Sequence, residues 1–189
     1  MDMSNTTLVP GSLSALAAQN AHSLAEAFVN ARVVVIADVS GSMHARDARG
    51  GQRRYEVAQT ELTALQREYP GQIAVVAFAD YPQFCPTGIL PPPDGSTNLR
   101  AALRFAKVAD VPGIRVILIS DGLPDDAAGA LAVARTYTQR IDVIYVGHED
   151  GTGREFLARL AQAAGGTFHV NARATNLLPT LHQLMLAAC

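Results

Sequence analysis

Four short apolar runs rich in β-branched residues, at 33–37, 73–78, 116–119 and 141–146, constrain this chain more than any other feature. A strand with one face in water alternates apolar and polar positions. Runs that are apolar at nearly every residue instead predict strands buried on both faces, as in a parallel sheet covered by helices on either side. The stretches between them, 55–69, 98–108, 125–139 and 154–164, have helical length and composition, and a last helix is expected over 176–188. Strand and helix alternating in this way predict an α/β domain of three layers with a mostly parallel sheet. Residues 168–170 are expected as a short edge strand, and the long proline-containing loop 80–96 as the place of another, near Ile89. Ahead of the sheet, Leu13, Leu16, Leu24 and Phe28 recur at roughly helical spacing and predict one helix over 12–30. The chain therefore divides into an N-terminal arm and helix, 1–30, and a domain, 31–189.

A length of 189 residues suits one domain, and 49% hydrophobic with 17% charged residues places the chain in the globular class. A formal charge of -2 provides no chain-wide attraction to nucleic acid or to an anionic membrane, so neither is expected as a partner. The start shows no leader pattern and no apolar run approaches the length of a bilayer span, which makes the cytoplasm the expected compartment. Cys85 and Cys189 have no paired spacing and are expected as reduced thiols, and the five histidines share no metal-binding spacing. The Asn5 sequon is read as a chance match in a polar segment.

In open α/β sheets, ligands bind beyond the carboxyl ends of the strands, where the strand order reverses. There the first run leads into Asp38-Val39-Ser40-Gly41-Ser42, and the run 116–119 leads into Ser120-Asp121-Gly122. The loop Gly95-Ser96-Thr97-Asn98 precedes a helix. Carboxylates and hydroxyls are hard oxygen donors that suit magnesium, manganese or calcium, and the set lacks the His and Cys that zinc favours. Two carboxylates about 4 Å apart repel by roughly 4 kcal/mol at an effective dielectric near 20, and a dication turns that repulsion into attraction. Two carboxylates balance a dication and three hydroxyls add no charge. The ion is left able to accept one more anionic ligand, such as a Glu or Asp of a partner.

Asp38, Ser40, Ser42, Thr97 and Asp121, in this order and on these elements, resemble the metal-ion-dependent adhesion site (MIDAS) of the von Willebrand factor type A (vWA) family. The likeness covers about residues 31–188. It implies a Rossmann-like fold with the strands ending at Asp38 and Asp121 side by side. It implies that Ser40 and Ser42 bind the ion directly, that Asp38 and Asp121 bind directly or through water, and that Thr97 joins or leaves the shell as the state changes. In relatives, such a change is linked to movement of the last helix. The implied cofactor is Mg2+, with Mn2+ and Ca2+ as alternatives. The implied role is a non-enzymatic module that holds a partner protein's acidic side chain. Stand-alone members of the family serve as adaptors for larger assemblies, AAA-type ATPases among them, and a subunit of such an assembly is the implied partner. Two alternatives stay open: a metal-dependent hydrolase or phosphotransferase, and a structural subunit whose metal only braces the loops. The enzyme alternative lacks a phosphate-binding Gly-x-x-x-x-Gly-Lys, a Gly-x-Ser-x-Gly elbow and an evident base.

Residues 43–54, with Arg46, Arg49, Arg53, Arg54 and Asp47, are read as a solvated mobile loop. Tyr81 and Phe84 either form an exposed rim contact or pack beneath the long loop. Residues 148–151 are expected as an acidic turn facing the same edge, and Cys85 as a packed or loop thiol.

Overall fold

Each long strand splits its apolar residues between two cores. In β1 (Val33–Asp38), Val34 and Ile36 face one layer while Val33, Val35 and Ala37 face the other. The same division holds in β2 (Ile73–Phe78), β4 (Arg115–Ser120) and β5 (Ile141–Tyr145), whose residues are all buried. With β3 (Pro82–Phe84) and β6 (Phe168–Val170) they form one six-stranded sheet in the order β3-β2-β1-β4-β5-β6. All neighbours are parallel except β2 and β3. This computed structural model describes residues 8–20, 23–148, 151–171 and 177–186.

Helices close both faces. On one side α1 (Leu13–Asn20), α4 (Leu99–Ala106), α5 (Ala127–Ala134) and α6 (Gly153–Ala163) cover the first core. On the other, α3 (Arg54–Glu68) and α7 (Leu177–Leu186) cover the second through Leu62, Leu65, Leu181 and Leu184. A fully buried leucine in either layer is worth roughly 1.5–3 kcal/mol relative to exposure, so loss of either helix layer would undo the sheet. The expected mostly parallel, three-layer α/β architecture is therefore the one observed. No described helix is long and apolar enough to cross a membrane.

Several expected elements are displaced, each for a local reason. The single helix expected over 12–30 is two, with α2 at Leu24–Val29. Ser23 Oγ accepts the Glu26 N–H, and the Glu26 carboxylate accepts the Ser23 N–H, a reciprocal cap that starts a new helix. The short strand expected near Ile89 lies instead at Pro82–Phe84, because α3 takes the polar groups that a strand there would need. Leu90 N–H donates to Gln59 Oε1, and the Tyr55 hydroxyl donates to the Leu90 carbonyl. α5 stops at Ala134, well before 139, because the Asp110 carboxylate accepts the N–H groups of both Thr138 and Gln139. Of the expected last helix, positions 176, 187 and 188 lie outside the described residues.

At the lower edge of the sheet, Asp142 and Arg115 form a buried ion pair, with Oδ2 and Nε 2.8 Å apart but off the line of a hydrogen bond. Arg115 Nη1 donates to the Leu184 carbonyl at 2.6 Å and so ties α7 to β4.

Candidate metal centre

β1 and β4 are neighbours, and the connections leaving them run to opposite sides of the sheet order. The crevice above them is where the sequence reading expects a ligand. Asp38 is fully buried at the end of β1. Its Oδ1 accepts the Ser40 backbone N–H at 2.8 Å, and its Oδ2 accepts the Ser120 hydroxyl at 2.6 Å across the strand seam. The chain then enters a 3-10 turn, Gly41–His44, in which Met43 points into the core and Ser42 to the surface. Ser40 Oγ and Ser42 Oγ are 3.1 Å apart, and Ser42 donates to Asp121 Oδ1 at 2.6 Å. Four of the five expected residues thus form one hydrogen-bonded arc from β1 to the loop after β4.

Close backbone packing fixes the Asp121 end. A Cβ on Gly147 would lie 2.5 Å from the Asp121 carbonyl oxygen, and one on Gly153 would lie 2.4 Å from the Gly122 carbonyl carbon. Only glycine lets the chain after β5 approach this loop so closely. Thr97 is placed differently. Its loop is held against the first one by Gly41 N–H to the Gly95 carbonyl, 3.1 Å, and by Asp94 N–H to the Val39 carbonyl, 2.9 Å. Asp80 Oδ1 accepts both the N–H and the hydroxyl of Ser96, and Asn98 caps α4 through the Ala101 N–H. Thr97 itself is half-buried, and its hydroxyl makes no hydrogen bond to the other four residues.

Burial, and then the neighbouring Asp121 carboxylate, push Asp38 up to about 6, against the lowering by its hydrogen bonds to Ser120 and Ser40. Asp121 has a compensation that the sequence reading missed. Arg54, the first residue of α3, donates from Nη1 to Asp121 Oδ2 at 2.6 Å. Its Nε and Nη2 grip both oxygens of Asp47, at 2.8 and 2.6 Å. The segment read as a solvated mobile loop therefore takes in the end of one 3-10 turn, the whole of another and a bracket around the buried Arg54, because the arginine fork finds a carboxylate on each side. Nothing in the local sequence distinguishes Arg54 from the exposed Arg46. Ser120, which appeared in the motif without a role, turns out to hold Asp38.

The donors fit a hard divalent cation: two hydroxyl oxygens and a carboxylate oxygen linked in one hydrogen-bonded chain, with a second, buried carboxylate beside them. Among the described residues no three His, Cys, Asp or Glu side chains converge as a metal-holding group, so a shell here would draw on hydroxyls or water besides the carboxylates. Elsewhere on this edge, Tyr81 is 83% exposed, whereas Phe84 is half-buried and meets Phe28 edge-on at 5.7 Å. Cys85 is buried, and burial raises its thiol pKa. His148 is exposed. Asn5, His22, Cys189 and positions 149–150 of the expected acidic turn lie outside the described residues.

No protein-family model and no curated protein matches the chain. Solved structures do. The conserved hypothetical protein BatB from Bacteroides thetaiotaomicron superposes with a TM-score of 0.60 at 18% identity, over 84% of this chain and 98% of that one. The von Willebrand factor type A protein from Catenulispora acidiphila has a TM-score of 0.62 at 21% identity, covering 84% and 43% of the two chains. Proximal thread matrix protein 1 of the mussel byssus, with a zinc-occupied MIDAS motif, has 0.58 at 18%, covering 84% and 46%. The SpRpn10 VWA domain has 0.58 at 13%, covering 80% and 93%. The chain spans less than half of the Catenulispora and byssus proteins. Identities this low speak for architecture alone, and the architecture is that of the von Willebrand factor type A domains: a mostly parallel six-stranded sheet between helical layers.

Proposed function

We propose that the protein is a member of the vWA family and acts as a metal-dependent protein-binding module, not an enzyme. The observation that carries this reading is the convergence of Asp38, Ser40, Ser42 and Asp121 at the β1–β4 crevice, 83 residues apart at the extremes, with the Thr97 loop docked beside them. A hard cation, Mg2+ in the cell, would be held by the Ser40 and Ser42 hydroxyls and the Asp121 carboxylate, with Asp38 and Thr97 completing the set. Bound there, it supplies a positive charge that accepts a Glu or Asp of a partner protein. The zinc-occupied site of the byssus protein supports a divalent ion in this fold. A subunit of an AAA-type ATPase assembly is the partner class to test first.

Ser42 is the surface-exposed donor, so Ser42→Ala removes a ligand without opening the core. Wild type and Ser42→Ala are each titrated with Mn2+ and used to capture proteins from native lysate, with Mg2+ or with chelator. The expected result is a partner retained by wild type with Mg2+ and lost in the other three samples. Equal retention in all four would mean that this edge is not the binding surface.

A further inference from the structure

Arg54 sits where its own helix disfavours it. The first turn of a helix carries partial positive charge and suits acids, not a cation. The residue is also only 8% exposed, and a buried charge is costly unless paired. What holds it there is a fork of carboxylates: Asp47 grips Nε and Nη2, and Asp121 Oδ2 takes Nη1. Asp121 is therefore shared, with Oδ1 on Ser42 Oγ inside the oxygen arc and Oδ2 on the guanidinium behind it. Asp47 and Asp121 flank one fixed cation, and with Asp38 beside Asp121 the three carboxylates and the guanidinium sum to a formal -2 for an ion to neutralise.

We propose that the Asp47–Arg54 pair sets the cation affinity of the centre: Arg54 is a tethered positive charge that weakens divalent-ion binding through their shared carboxylate, and Asp47 offsets it. This rests on the metal-binding reading above. A guanidinium and a dication on the two oxygens of one carboxylate repel each other and compete for its charge. Deleting Arg54 then strengthens ion binding, whereas deleting the Asp47 charge weakens it. A bracket that only orients Asp121 makes a different prediction, because either change loosens the bracket and both weaken binding.

The test is Mn2+ affinity by calorimetry on the full chain for wild type, Arg54→Met, Arg54→Lys and Asp47→Asn, each first shown to be folded by circular dichroism in chelator. Arg54→Met is expected to bind at least about tenfold tighter, Asp47→Asn about tenfold weaker, and Arg54→Lys, which keeps the charge, close to wild type. Unchanged or weaker binding by folded Arg54→Met overturns the proposal, leaving the metal reading intact if wild type binds. Should Arg54→Met fail to fold, Asp47→Asn binding as tightly as wild type overturns it. No Mn2+ binding by any of the four proteins removes both the metal reading and this inference.

Discussion

Asp38 and Asp142 are the same residue type, both fully buried, at opposite ends of one sheet, and the protein treats them in opposite ways. At the lower edge, Asp142 Oδ1 accepts the N–H and hydroxyl of Thr167 at 2.8 and 2.7 Å, and Oδ2 faces the Arg115 guanidinium. The charge is closed off by a cation of the protein's own, and the same arginine anchors α7. At the upper edge, Asp38 also has two hydrogen-bond donors, but the charge that bears on it is another carboxylate, Asp121. A buried acid with its own cation is a structural joint. One placed beside a second acid leaves like charges together, which costs stability and is the arrangement that an outside cation would relieve under the proposed function.

The largest expected effect separates the two ends. Arg115→Met leaves Asp142 buried without its cation and should destabilise the fold by about 3–5 kcal/mol in urea unfolding, with unchanged Mn2+ affinity in the folded protein. A loss below about 1 kcal/mol would mean the lower pair is not the joint described.

Asp38 should behave in the reverse sense. Its folded pKa of about 6 lies above the ordinary carboxylate value, so the folded state holds the proton more tightly than the unfolded one. The linked stability is present below about pH 4 and is lost as pH rises through about 6, a loss of roughly 3 kcal/mol. In chelator, Asp38→Asn should therefore gain on wild type between about pH 4 and 6, while its Mn2+ binding is abolished. Parallel stability curves for the two proteins across this window would break the contrast with Asp142.

Smaller effects sharpen it. Thr167→Val removes one hydrogen bond to Asp142 and should cost about 1 kcal/mol, again without touching Mn2+ binding. Ser42→Ala, at the surface of the other end, should change stability in chelator by no more than about 0.5 kcal/mol and weaken Mn2+ binding at least tenfold, as read by unfolding and calorimetry side by side.

The four core strands were legible because a doubly buried strand needs apolar side chains on both faces, and the runs at 33–37, 73–78, 116–119 and 141–146 leave little else for those residues to do. The edge strand was misplaced because Pro82-Gln83-Phe84 has no such pattern: an edge tolerates proline, and only pairing with Ala77 and its neighbours makes it a strand. The break between α1 and α2 was readable in principle from Ser23 and Glu26, which carry the cap spacing. The end of α5 was not, since it depends on Asp110, which is 28 residues from Thr138 in sequence.

For the site, the sequence by itself determined the chemistry: which side chains stand at the strand ends, that they are hard oxygen donors, and the order in which they occur. Local pattern suffices there because each donor follows directly from a strand or precedes a helix. Only the tertiary structure decided the charge balance. Arg54 reaches Asp121 across 67 residues, and Ser120 reaches Asp38 across 82. Such partners are chosen by how helices and strands pack in space, and a cation buried in the first turn of a helix runs against the local preferences that a sequence reading has to rely on.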